Sequence, residues 1–297
     1  MKPVLPSGLI GHATHVSGST GVTVMIFPEG ASAGHHIHGH ATGSRELDTL
    51  SPLHSTRQIH GICFAGGSVF GLAAVDGVVR ELADRGIGLK TPHATVPIVP
   101  AAILYDLDGG EDRPDAELGR QATQNAFDRT ATPLAGRVGA GAGARVARIT
   151  GKDQPGGIGI HTRTHDGYTV TAIVAVNALG AIRDPETGTW VAGEPAPDQA
   201  SFDHFPFGNT TLAAVITDVP LNRDQCILVA RMASAGIART HYPASTPLDG
   251  DVVFAVSLAK DAETNPTGVK RLTETGHLAA ACVERAVIEA VSVQVER

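Results

Sequence analysis

The sequence predicts a layered α/β fold, and three observations carry that expectation. Stretches of strand character alternate with stretches of helical character along the whole chain. No long linker, low-complexity tract or internal repeat interrupts them. Finally, 297 residues, 42% hydrophobic and 18% charged, suffice to bury a substantial core as one large domain or two small ones.

The elements follow in order. Val22–Phe27 and Gln58–Phe64 are β-branched and apolar enough to read as strands, and Ser68 is placed to cap a helix that runs to about Arg85 and stops at Gly86. A second helix is expected over Asp115–Phe127, followed by the glycine-rich Gly136–Gly143 and by strands near Ile158–Thr162 and Tyr168–Asn177. The tract from Glu194 to Asp203, rich in Pro and Asp, reads as an exposed loop. Beyond it, Thr211–Thr217 has the continuous apolar character of a buried strand. Asn222 and Gln225 have the spacing of a capping box that opens an apolar helix to about Ala235. Asp251–Leu258 is then a strand, and Val269–Val291 a long helix whose Leu278–Val283 centre is apolar enough to be largely buried.

Composition narrows the functional classes. The net charge is −7, and no basic stripe offers itself to phosphates, so a nucleic-acid partner is not expected. The opening Met1–Pro6 has no apolar core of signal-peptide length and no run reaches transmembrane length, so the expectation is a cytoplasmic protein without a membrane partner. Cys63, Cys226 and Cys282 make an odd count in apolar surroundings, which fits buried thiols better than a disulfide framework.

One segment carries chemistry. In Phe207-Gly208-Asn209-Thr210-Thr211-Leu212 a threonine follows a Gly-Asn pair and opens the apolar run. A threonine hydroxyl is a weak nucleophile near neutral pH. An α-amine, with an ordinary pKa of about 7.7–8.0, takes up a proton readily there. Scission between Asn209 and Thr210 would put both groups on one residue and dispense with a separate base. Gly208 tolerates the backbone angles of a distorted peptide, and the following strand would hold the new terminus rigidly. The alternative is an ordinary Gly-Asn turn before a strand.

Gly208–Leu212, together with Asp249-Gly250-Asp251-Val252-Val253-Phe254-Ala255-Val256, Ala65–Leu72 and Val96–Asp106, resembles the self-processing β-peptidyl aminopeptidase (DmpA-like) family, which includes D-aminopeptidases and nylon-oligomer endohydrolases. The likeness runs from about Gly11 to Ala290, with its motifs in the same order. It implies a four-layer αββα sandwich of the N-terminal-nucleophile hydrolase type, with a topology shared with ornithine acetyltransferase. It also implies a single domain over 1–297, cut into a large chain of 1–209 and a small chain of 210–297 that stay together, and assembly into a homo-oligomer.

Site residues carry over position by position, each beside a plainer alternative. Asn177 matches the asparagine whose amide donates to the developing oxyanion; otherwise it is a strand-end turn former. Tyr105 matches a tyrosine near the nucleophile that bonds the attacked carbonyl or orients the amine; otherwise it is a half-buried strand aromatic. Asp249 and Asp251, two residues apart at a strand start, are placed to hold the Thr210 ammonium, or else to form an Asp-Gly-Asp turn. The aminopeptidase branch has serine and glutamate there, whereas an aspartate pair with a threonine nucleophile resembles the nylon-oligomer branch. Arg148 falls where that branch has a lysine, and as a group that cannot act as a base its expected role is electrostatic or structural.

Three other clusters lead elsewhere. His35–His40 has the density of a metal site, but the resemblance places it away from the chemistry, and neither a metal nor a cofactor is expected. Gly66-Gly67-Ser68-Val69-Phe70 lacks the second glycine of a serine-hydrolase elbow, and Gly139–Gly143 lacks the spacing and acidic partner of a dinucleotide fingerprint; its backbone is expected to pack closely by the active-site wall. The functional expectation is a self-cleaving N-terminal-threonine hydrolase of amide bonds in peptides or linear oligoamides such as 6-aminohexanoate oligomers. The alternatives are an aminopeptidase on D- or β-amino amides, an acyltransferase of the ornithine acetyltransferase type, and a binding protein without turnover.

Overall fold

A computed structural model describes residues 8–128, 134–151, 153–194 and 208–292. Nine strands form the main β-structure: β1 Leu9–Thr14, β2 Gly21–Ile37, β3 Gly43–Arg45, β4 Ile59–Ala65, β5 Ala101–Ile103, β6 Gly157–His165, β7 Tyr168–Asn177, β8 Thr210–Thr217 and β9 Val252–Ser257. Their spatial order is β6-β7-β8-β9-β2-β4-β5-β3, with β1 also paired to β2.

Strand β2 is the joint of the molecule. Residues 21–26 pair with β1 and β4, residues 32–37 pair with β9, and the register breaks between Ile26 and Ala31. Such a break bends a strand and increases its twist, so a single 17-residue strand serves two sheets that lie face to face. Between them Met25, Phe27, Ile62, Phe64 and Leu104 meet Ile158, Ile173, Leu212, Phe254 and Val256 in one buried cluster, and the rings of Phe64 and Phe254 are 6.1 Å apart.

The period of two along each strand sends alternate residues to the outer faces. Val22, Val24 and Ile26 pack under the helices α1 Ala74–Asp84 and α2 Ala116–Asp128, while Ala213 and Val215 pack under α3 Arg223–Thr240 and α4 Val269–Ser292. On α4 the residues Ala279, Cys282, Val283, Ala286, Val287 and Ala290 repeat at three- and four-residue steps, so one face is apolar from end to end. Helix, sheet, sheet and helix are thus stacked, as expected.

Local expectations fared unevenly. The Asn222–Gln225 capping box is present, but α3 continues past Ala235 to Thr240. Ser68 does not cap a helix: Gly67 and Ser68 both have positive φ, 77° and 54°, and a 3-10 segment from Ser68 to Ala73 precedes α1. The turn is spent on bringing Gly67 N–H to Asp106 and Ser68 N–H to the Leu104 carbonyl. All three cysteines are buried and free. No described helix is long and apolar enough to cross a membrane. The loop expected from Glu194 to Asp203 lies, beyond residue 194, outside the described residues.

Candidate active site

Three strand ends meet at one edge of the second sheet. Strand β7 ends at Asn177, β8 begins at Thr210 directly opposite it, and β9 begins just after Asp251, with Asn209 bridging Asp249 in parallel. From the facing sheet, β5 leads through Leu104 into Tyr105 and Asp106. Paired strands leave little freedom at such ends, and so side chains from distant parts of the sequence are held together.

Thr210 is only 5% exposed, and a Cβ built on Gly250 would stand 2.7 Å from its hydroxyl oxygen. Gly250 N–H donates to the Asn209 carbonyl at 2.7 Å. That carbonyl immediately precedes the threonine, so this amide is aimed at the oxygen on which charge develops if the hydroxyl attacks. One residue earlier, Gly208 has φ 74°, and a Cβ there would lie 2.1 Å from the Tyr105 ring. Conformation and space both require glycine.

Asn177 is buried, and its Oδ1 accepts Arg145 N–H at 2.9 Å, which sets the orientation of the amide. Nδ2 then donates to the Tyr105 carbonyl at 2.9 Å and to the Gly208 carbonyl at 3.3 Å. Arg148 Nη1 donates to the same Gly208 carbonyl at 3.3 Å, while Nη2 is ion-paired with Asp108.

The two carboxyls flank Gly250. Asp251 Oδ1 accepts Thr211 N–H and Asp249 Oδ2 accepts Thr246 N–H, each at 2.6 Å. Burial first, and then the neighbouring Asp249 charge, push Asp251 up to about 8 against the pull of the Thr211 amide. Both causes favour its neutral form. Burial also raises Asp249, opposed by its bonds to Thr246 and by His40.

The fold therefore gathers Thr210, Asn177, Tyr105, Asp249, Asp251 and Arg148 around the Asn209–Thr210 junction, with bonds that differ in detail from expectation. Asn177 reaches the carbonyl one residue before the one adjoining Thr210. Tyr105 contributes its carbonyl and its ring. Each aspartate bonds to a backbone amide other than that of Thr210.

The histidine-rich stretch was expected away from this region and lies against it. His38 and Gly39 N–H donate to the Asp251 carbonyl, and His40 and Ala41 N–H to the Asp249 carbonyl. The reason is register: β2 runs antiparallel to β9, and the chain continues past Ile37 as a backbone brace. The Gly139–Gly143 run does pack closely, Gly143 against the Ser19 carbonyl and Asp106.

Sequence reasoning missed the Gly250 amide, Asp108, and a polar chain behind β8. There Thr211 Oγ1 meets His241 Nε2 at 2.8 Å, and His241 Nδ1 lies 2.9 Å from Thr240 Oγ1 and 3.1 Å from the Ile237 carbonyl. Burial lowers His241 to about 4, so the ring is neutral. The one available signal was a second threonine, Thr211, at the head of an apolar run.

Comparison with known proteins identifies the family and the fold. The chain is 38% identical over 301 residues to an uncharacterized aminopeptidase of Mycobacterium leprae, covering 91% of this chain and 82% of that protein. It is 30% identical over 310 residues to the 6-aminohexanoate-oligomer endohydrolase of Agromyces sp., covering 96% and 84%. Its fold matches L-aminopeptidase D-Ala-esterase/amidase from Ochrobactrum anthropi, a serine aminopeptidase with a variant Ntn-hydrolase fold, at a TM-score of 0.72 and 20% identity over 96% of this chain and 84% of the other. The model of peptidase family S58 matches residues 7–295, and the chain belongs to that family of amide-bond hydrolases.

Proposed function

We propose that Thr210 cuts its own chain after Asn209 and then, as the first residue of the small chain, hydrolyses amide bonds of peptides or linear oligoamides. The observation that carries this reading is the buried Thr210 hydroxyl beside a carbonyl already held by Gly250 N–H at 2.7 Å. In the first event Oγ1 attacks the Asn209 carbonyl carbon, and the C–N bond breaks as its nitrogen takes a proton and becomes the α-amine. Water then hydrolyses the ester, leaving a carboxylate on Asn209 and a free hydroxyl on Thr210.

In turnover the amine accepts the hydroxyl proton and passes it to the leaving nitrogen. Asn177 and Gly250 N–H offer donors for the oxyanion, and Tyr105 shapes the wall. Asp249 and Asp251 face the new ammonium, whose positive charge favours ionisation of the pair. Arg148 acts electrostatically. A cytoplasmic homo-oligomer whose large and small chains remain associated completes the reading, supported by the family resemblance.

The deciding experiment is the intact mass of freshly purified protein with N-terminal sequencing of any small fragment. Threonine at the new terminus is the expected result, and an active, unbroken polypeptide would overturn the proposal.

A further inference from the structure

We propose that the cavity at the bend of β2 is a binding site for a small phosphate ester, separate from the Thr210 cluster, with Arg57, Lys90 and the His60 imidazole N–H as its donors.

The cavity follows from the course of β2. Where the register with β4 breaks between Ile26 and Ala31, the two sheets part, and the gap is walled by the loop before β4, the Gly88–Lys90 segment after α1, and the chain leaving β9. It measures about 620 Å³, enough for a small organic molecule. Asp251 enters β9 and Lys260 follows it, so the six residues of that strand put about 20 Å between this cavity and the Thr210 cluster.

One donor is built into the wall. His60 is 6% exposed, and its ring is fixed because Nδ1 accepts Ile98 N–H at 3.2 Å while its own backbone N–H donates to the Ile98 carbonyl at 2.8 Å. Burial, and then the Lys90 charge, hold its pKa below the ordinary histidine value, so the ring is neutral and its one proton sits on Nε2. That N–H has no partner among the described residues and is not sealed in protein; His60 lines the cavity, and the donor opens onto it.

The cations beside it are not neutralised by acids. Among the described residues neither Arg57 nor Lys90 has a carboxylate partner, and Lys90 Nζ donates to the Gly86 carbonyl and to Thr95 Oγ1. Lys260 and Glu29 cancel as a pair, and Glu263 spends Oε1 on the Ser32 hydroxyl and Arg223 N–H. The loop that presents Arg57 is held from behind. Buried Arg223 donates from Nη1 to the Ser51 and His54 carbonyls at 2.7 and 2.9 Å, and from Nη2 to the Thr56 carbonyl. Two full charges and a neutral N–H reaching in from three segments suit a tetrahedral dianion with three outer oxygens better than a planar monocarboxylate. Gly88, Leu89 and Ala259 border the remaining room, which takes the organic part of the ester. Because the donors come from separate segments, no basic run marks them in the sequence.

The test is isothermal titration calorimetry of the full chain at low ionic strength with inorganic phosphate, glycerol 3-phosphate and acetate. One site per chain is expected, with phosphate and glycerol 3-phosphate competing for it and acetate about tenfold weaker or worse. Arg57→Met and Lys90→Met should each weaken phosphate about tenfold, the loss of one charge-assisted bond. Lys270→Met removes a cation on α4 whose side chain is 90% exposed, and it should change phosphate binding by less than about twofold. In nitrogen NMR spectra the His60 Nε2 resonance should move on saturation. Absence of phosphate binding, equal weakening by all three variants, an unmoved His60 resonance, exclusion of glycerol 3-phosphate, or acetate that binds as tightly as phosphate overturns the inference. The heat of binding does not depend on turnover, so the outcome stands apart from whether the chain is cut after Asn209.

Discussion

At the far end of the sheets, where β9 runs out through Leu258 to Lys260 and β4 begins at Ile59, a cavity of about 620 Å³ is lined by Glu29, Arg57, His60, Lys90, Lys260 and Glu263 among others. At the near end, around Thr210, the described backbone is under far more constraint. The charges of the far end are largely solvated; Lys260 and Glu29 pair at 3.1 Å with both side chains mostly exposed, a contact of small worth in water. Near Thr210, Asn177, Asp249 and Asp251 are buried, and each accepts a backbone amide. An open, charged cavity thus lies at one end of the molecule and the candidate chemistry at the other. Reaction needs donors and acceptors fixed where water is excluded, and the near end provides them around a nucleophile.

Substitutions at the two ends should separate sharply. Thr210→Ala is expected to leave a single uncut chain by mass and to lower amide turnover by about four orders of magnitude or more. Asn177→Ala should cost about 100-fold to 1,000-fold in kcat, the usual loss of a buried oxyanion donor, measured on whatever fraction of the protein matures. Gly250→Ala keeps the amide proton but sets a methyl 2.7 Å from the Thr210 hydroxyl, so fragment appearance followed by mass should slow by about tenfold or more, whereas Gly268→Ala, with open space around it, should change nothing. At the far end, Arg57→Ala and Lys90→Ala should hold kcat/KM within about twofold. A larger drop there would erase the contrast between the ends.

A smaller effect tests the electrostatics. Asp251 is raised from an ordinary carboxylate value to about 8, so between about 4 and about 8 the folded state keeps a proton that the unfolded state gives up. In that window this residue makes stability fall as pH rises, and the fall is complete above about 8. In the uncut Thr210→Ala chain, Asp251→Asn should flatten the dependence of the melting temperature on pH from 4 to 8. An unchanged slope would show that Asp251 is ionised in the folded protein.

Much of this was legible in the sequence because it rests on local pattern. Apolar runs located the strands that carry Asn177 and Thr210, and the Asn222–Gln225 spacing located a helix start. The Gly-Asn-Thr motif pointed to the junction that the fold then surrounds. What stayed hidden was set by register and close approach. The brace of His38–Ala41 on Asp249 and Asp251 follows from how β2 is paired with β9, and nothing in the histidines themselves announces it. Likewise the Gly250 amide has no side chain to notice, and Asp108 meets Arg148 across forty residues of chain. Ser68 misled because a serine before an apolar run usually caps, whereas here backbone donors to Asp106 and Leu104 fix the turn.

The order β7-β8-β9-β2 has a mechanical meaning for a chain broken after residue 209. Both strands of the shorter piece would lie in the interior of the sheet, bordered on either side by strands of the longer piece, like two fingers laced between those of another hand. Neither piece has a complete sheet of its own, so they should migrate as one particle through a sizing column, part only in denaturant, and reassemble poorly if refolded from separate pools.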